Sequence, residues 1–231
     1  MVKKNLVCDL NTCFLCKNCL NEWHPAIAAN KTNFKVKKGE VIFREGDPVT
    51  GIYFTYSGNV KIYKKWEADK ELIIRFANTG KIFGHRGLGR NGTYPVSAAA
   101  LEDSIACYID MDFFEATLKV NTDFTYKLLM FFAGELGESE RKMRNLAHMP
   151  VKGRVAEALI LLKDQFGLTP EGFINIELSR QDLASFAGAT YETVFRVINE
   201  LVNDKLIALA GKSIMITNHG GLQKLTQDTG I

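Results

Sequence analysis

The chain has 231 residues, 46% hydrophobic and 24% charged, enough for one large globular domain or two small ones with separate cores. Lys and Arg number 29 against 26 Asp and Glu, and a net charge of +3 selects neither nucleic acid, an acidic partner nor a membrane surface. No apolar run approaches the roughly 18 residues of a membrane span, and residues 1–11 lack the apolar core and cleavage site of a signal peptide, so we expect a cytoplasmic protein with no membrane partner.

Disulfides are disfavoured in that compartment, so the Cys-rich segment 1–30, with Cys8, Cys13, Cys16 and Cys19, needs another explanation. Cys13-x2-Cys16-x2-Cys19 has the spacing by which three thiolates embrace three corners of a 4Fe–4S cube. Zinc is the alternative cofactor, and idle thiols are the plainest reading. Zinc ligands, however, usually form two well-separated pairs, whereas these three cysteines are evenly spaced. The cube needs a fourth ligand, for which Cys8 and Cys107 compete, with His24 a remote third. Cys107 shares strand parity with Ile105 and Ile109, so an inert core thiol is an equal alternative there.

From Phe34 to Asp110, short β-branched and aromatic runs alternate with turn signals at Lys38-Gly39, Glu45-Gly46-Asp47, Ser57-Gly58-Asn59 and Asn78-Thr79-Gly80. This rhythm predicts an all-β barrel or jelly roll over residues 31–111. Turn residues then thin out, and Leu129, Phe132, Leu136, Ser139, Met143 and Leu146 follow at alternating spacings of three and four, the mark of a heptad. One long helix over 112–149 is expected. Its seam pairs with a second copy or packs on its own β domain, and Leu128 and Phe131 widen the apolar stripe enough for both contacts.

Pro150 opens the last region, 150–231. A helix over Val151 to Phe166 and an alternating strand over Phe173 to Leu178 come first. Ser179 with Asp182 then caps a helix that stops at Gly188, and Thr190 caps a second helix with Val194, Val197, Ile198 and Leu201 inward. Tyr191, Glu192, Phe195, Arg196 and Asn199 are left outside. Leu206 to Leu209, a turn at Ala210-Gly211-Lys212, and Ser213 to Thr217 read as a hairpin, completing a winged helix-turn-helix. Glu192 can accept from cytosine N4 and Arg196 can bind guanine O6 and N7; a surface ion pair between them is the plainer alternative. Residues 150–231 carry eight Lys and Arg against nine Asp and Glu, so phosphate contacts must come from local groups such as Arg180, Lys205 and Lys212.

The run LSRQDLASFAGATYETVFRVI, residues 178–198, resembles the helix-turn-helix signature of Crp/Fnr transcription regulators, and the likeness covers nearly the whole chain. It implies an α+β fold with an N-terminal β jelly roll of cyclic-nucleotide-binding type, a long dimerisation helix and a C-terminal winged helix-turn-helix. It also implies a homodimer on a two-fold symmetric double-stranded DNA operator with TGA-type half-sites, and RNA polymerase as a partner. In that family the Glu and Arg of E-T-V-x-R read the GA step, which maps onto Glu192 and Arg196, with Thr193 inside the motif. Phe195 stands where Gly or Ser is common, leaving the flanking base preference open.

The resemblance bears on sensing as well. Residues 100–109, ALEDSIACYI, are similar to the place where the oxygen-sensing Fnr branch carries its distant fourth cysteine, favouring Cys107 and an effector of oxygen, nitric oxide or redox state. The head departs from the Fnr spacing by one extra cysteine, so Cys8 is either a replacement or a spare. Residues 83–95, FGHRGLGRNGTYP, occupy the place of the phosphate-binding cassette. Cyclic-nucleotide binders carry Glu after Phe-Gly and Arg-Ser or Arg-Thr at the cassette's end; here stand His85 and Tyr94 to Val96, so cAMP is not expected. Gly84, His85, Arg86 and Arg90 remain a possible effector loop, although a Gly-rich surface turn with solvated arginines is the plainer reading. A small ligand in the barrel without a cluster is the second functional reading. A redox or electron-transfer protein is the third, yet there is no Walker loop, G-x-S-x-G or H-E-x-x-H, and no catalytic residue or enzyme activity is expected.

Overall fold

The computed structural model describes residues 2–4 (backbone only), 6–67, 70–89 and 92–227. They form two units, Met1–Leu136 and Gly137–Ile231.

In the first unit, strands β1 (Val2–Lys4), β2 (Lys31–Val36), β4 (Gly51–Ser57), β7 (Ile82–Phe83) and β9 (Ser104–Asp110) make a sheet in the order β1-β2-β9-β4-β7. Strands β3 (Val41–Phe43), β5 (Asn59–Glu67), β6 (Lys70–Asn78) and β8 (Ser97–Ala100) make a second, ordered β3-β8-β5-β6. All pairings within these sheets are antiparallel. The turns fall at the predicted signals. Gly58, for example, has φ +87°, and a Cβ there would collide with Ser104.

The strand period of two assigns side chains to two cores. Between the sheets lie Val36, Phe43, Tyr53, Val60, Ile62, Phe83, Tyr94 and Ala106. The five-stranded sheet turns its other face, through Ile52, Phe54, Ile82, Cys107 and Ile109, onto a second core. That core takes in Leu15 and Cys16 of the head, Ile27 of α1 (His24–Asn30), Phe114, Phe124 and Leu128. The sheet is thus buried on both faces, and the cysteine head packs on its outer side.

The single long helix expected over 112–149 is two helices, α2 (Met111–Val120) and α3 (Thr122–His148). Asn121 makes the break. Its backbone leaves the helical region at φ −106° and ψ 81°, while its Nδ2 donates to the Thr117 carbonyl and its Oδ1 accepts from the Leu20 N–H, tying the corner to the head.

The second unit contains α4 (Val151–Phe166), α5 (Arg180–Ala187), α6 (Tyr191–Asn203), β10 (Ile207–Ala210), β11 (Ser213–Ile216) and α7 (His219–Thr226). Ser179 accepts from the Asp182 N–H, Thr190 accepts from the Thr193 N–H, and Gly188 adopts φ +64° between α5 and α6. Phe173 to Leu178, expected as a strand, makes only isolated bridges, Leu168 with Ile174 and Phe173 with Met215. Its Ile176 N–H turns back to the Ile174 carbonyl, so the apolar alternation is used without a ladder.

Candidate functional site

Helix α6 is strongly amphipathic. Val194, Val197, Ile198 and Leu201 are buried, while Tyr191, Glu192, Phe195, Arg196 and Asn199 are exposed, as the spacing predicts. Thr193 is half-buried, its hydroxyl 3.0 Å from that of Thr190, where it supports the cap. The ion pair recorded for Arg196 is with Glu200, at 4.0 Å between solvent-exposed groups, rather than with Glu192. An exposed pair at that distance holds Arg196 weakly and leaves its donors free for a base edge. Arg180 reaches the wing, donating to the Lys212 and Gly211 carbonyls at 3.3 and 3.4 Å, so it braces the β10–β11 turn as well as carrying charge. Lys212 sits in that turn.

Behind α6, Arg154 of α4 makes a four-way contact. Its Nε and Nη2 donate to the carbonyls of Ala187 and Gly188, and its Nη1 donates to those of Leu146 and Met149, all at 3.1–3.2 Å. The carbonyl ends of α3 and α5 both carry partial negative charge, which the guanidinium satisfies.

In the first unit, Cys8, Cys13, Cys16 and Cys107 line one cavity of about 30 Å³ with Leu15, Ile27 and Phe54. Cys19 belongs to the same core without lining the cavity. Cys107 stands opposite Phe54 on β4 and Asn33 on β2, so strand register aims it at the head. Hydrogen bonding from Cys16 brings the Cys8 thiol down to about 6 against its burial, helped by Lys31, whose Nζ lies 2.9 Å from the Cys8 sulfur. Cys16 likewise lowers Cys13 to about 7 and itself retains its proton, while burial pushes Cys19 and Cys107 up to about 12. His24 Nε2 donates to the Cys16 carbonyl, 2.9 Å away, and so is engaged with backbone. Among the described residues no three His, Cys, Asp or Glu side chains form a ready-made site for a single metal ion.

The cassette departs from the solvated turn expected of it. Gly84 adopts φ +80° and opens a 3-10 turn, His85–Leu88, that carries His85 into the interior, 2% exposed. Glu135 of α3 meets it there. The Glu135 carboxylate lies 2.9 Å from Arg86, 3.5 Å from Arg75 and 3.6 Å from His85, with Phe131 and Phe132 set edge-on against the His85 ring. Arg86 is therefore paired, because a half-buried carboxylate draws the cations in reach. Burial would raise the Glu135 carboxyl, but His85, Arg75 and Arg86 hold it down to about 2. Arg90 lies outside the described residues. The barrel interior beside the cassette is filled by stacked rings, Phe43 on Tyr94 at 4.0 Å and Tyr53 on Phe83 at 5.3 Å.

On α3, Leu129, Leu136 and Met143, seven residues apart, are 63%, 61% and 66% exposed, and Ser139 is exposed beside them. Phe132 and Leu146 are half-buried, and Phe132 packs on the sensor core. Sequence reasoning missed Glu135, Arg75, Lys31 and Asn33. Only the placement of a lone acid in an apolar helix stripe hinted at Glu135.

Residues 33–121 match the cyclic nucleotide-binding domain family and residues 153–225 the Crp-like helix-turn-helix domain family. The cysteine head lies outside both regions. The transcriptional activator protein anr of Pseudomonas aeruginosa is 29% identical over 184 residues, 78% of this chain and 75% of that protein. The cAMP-activated global transcriptional regulator CRP of Salmonella typhimurium is 28% identical over 186 residues, 79% of this chain and 88% of that protein. The solved structure of FixK2 from Bradyrhizobium japonicum is similar with a TM-score of 0.77 and 26% identity, covering 87% of this chain and 99% of that one.

Proposed function

Because the chain belongs to the Crp/Fnr family and is a DNA-binding transcription regulator, we propose that it acts as a homodimer sensing oxygen, nitric oxide or redox state through a 4Fe–4S cluster held by its cysteines. The observation that carries this reading is the convergence of four thiols, from the head and from β9, on one cavity against the sensor sheet. The donor set suits iron: soft sulfur ligands in an apolar shell, two of them with lowered pKa. A cavity of about 30 Å³ is smaller than a cube, so a cluster held by these thiols would require the head to move away from the sheet. The turns around residues 8–19 contain only one short 3-10 helix, Cys16–Asn18, to resist this.

Cys13 and Cys16 are favoured by both cavity and spacing, and Cys107 by the cavity and the family resemblance. For the fourth place the cavity favours Cys8 and the even spacing favours Cys19. A bound cluster supplies a redox-labile centre that oxygen or nitric oxide can degrade. The chain's residues do the rest: the thiols hold, the Lys31 ammonium offsets the charge of Cys8, and the sheet transmits head position to α2 through Phe114 and to α3 through Phe124. Homodimerisation is supported by the Leu129, Leu136 and Met143 stripe, whose exposure a partner helix removes.

Protein purified without oxygen should be brown, contain iron and sulfide, and bleach in air. Cys13→Ser, Cys16→Ser and Cys107→Ser should each remove the colour, and exactly one of Cys8→Ser and Cys19→Ser should do so. Colourless protein with one tightly held zinc per chain would refute the cluster.

A further inference from the structure

The exposed face of α6 carries more than Glu192 and Arg196. Tyr191 and Phe195, one turn apart, stack with ring centroids 6.2 Å apart and planes 17° from parallel, and stay 43% and 50% exposed. Covering them removes further apolar surface from water, and two adjacent rings left half-exposed imply a partner surface.

Their neighbours identify that surface. Glu192 and Arg196 each follow one ring directly in sequence, and all four residues lie in the first half of the helix that a helix-turn-helix protein sets into the major groove. The rings cannot turn inward, because Val194, Val197, Ile198 and Leu201 already fill the core face. Within that groove the apolar feature a base edge presents is the thymine 5-methyl group. We propose that the Tyr191–Phe195 stack is a thymine reader, with Tyr191 holding the Phe195 ring against the 5-methyl of a thymine adjoining the G·C pair contacted by Glu192 and Arg196. The inference rests on the DNA-reading role of α6 and gives Phe195 a specificity of its own.

The test starts from the operator that the full-length protein selects out of random DNA, with each flanking thymine then replaced by uracil, which removes the methyl group alone. One position should lose about fourfold in affinity per half-site, equivalent to about 0.8 kcal/mol for a buried carbon, and about fifteenfold when both half-sites are changed. Phe195→Ser should bind the thymine and uracil operators equally. Phe195→Leu, which keeps an apolar side chain, should retain discrimination and exclude loss of fold as the cause. Wild type binding both operators equally at every flanking position overturns the thymine reader, as does a Phe195→Ser variant that still discriminates. Half-sites selected without a TGA core would instead count against base reading by Glu192 and Arg196, while the uracil comparison still decides the role of Phe195.

Discussion

Glu135→Gln removes the carboxylate that, among the described residues, faces Arg75, Arg86 and His85, while keeping the side chain's shape. The carboxyl is held at about 2 against an ordinary 4.5, although burial acts in the opposite direction, and that difference corresponds to about 3 kcal/mol of sensor stability. The sign follows from linkage. A folded-state pKa below the unfolded one means the contribution is complete above about pH 5 and disappears as pH falls through 4.5 towards 2. At pH 7 the variant also leaves two guanidinium groups short of a counter-charge, and because all three side chains keep some exposure the cost stays at the lower end of the roughly 3–5 kcal/mol for breaking a buried pair. Urea unfolding of the apoprotein followed by tryptophan fluorescence isolates the effect, because both tryptophans, Trp23 and Trp66, lie in the unit Met1–Leu136. The variant should unfold with a free energy lower by about 3 kcal/mol at pH 7, and the gap should narrow to about half by pH 3. Equal midpoints at pH 7, or a gap unchanged down to pH 3, would refute the account of this cluster.

Three further outcomes are expected. Leu136→Glu puts a charge into the exposed heptad stripe and should give folded monomers with little operator affinity; unchanged sedimentation would mean the stripe is not a dimer seam. Arg196→Ala should cost about 1–3 kcal/mol on a TGA-containing operator and relax preference at the guanine, whereas Lys212→Ala should weaken all sequences alike and flatten the salt dependence, as binding titrations at several salt concentrations will distinguish. Calorimetry should find little cAMP affinity, since His85 is buried beside Glu135 where nucleotide binders of the family present a carboxylate; micromolar binding would contradict this.

Features encoded locally were readable in the chain. The caps at Ser179 and Thr190, the left-handed Gly188 and the glycine turns of the jelly roll depend on a few adjacent residues, and each sits where its signal places it. The parity of Cys107 with Ile109 was readable too, but parity alone does not say what lies above that face. The cavity depends on the head folding over the sheet, a long-range event that no spacing records. The break at Asn121 was hidden because the residue is neither Gly nor Pro, and its partner, the Leu20 N–H, is about a hundred positions away in sequence. Arg86 looked solvated for the same reason: the acid that pairs it sits on a helix 49 residues further on.

Four of the five N–H groups of Arg154 are committed, two to the end of α5 and two to the C-terminal end of α3. A planar fork engaged on both sides cannot swivel to follow one set of carbonyls and keep the other, so it behaves as a splint and not as a hinge. Displacement of the chain around Leu146 and Met149 reaches Gly188, and with it the setting angle of the reading helix, without backlash. A lysine at 154, with a single flexible ammonium in place of the fork, would return play to the joint while leaving the charge unchanged.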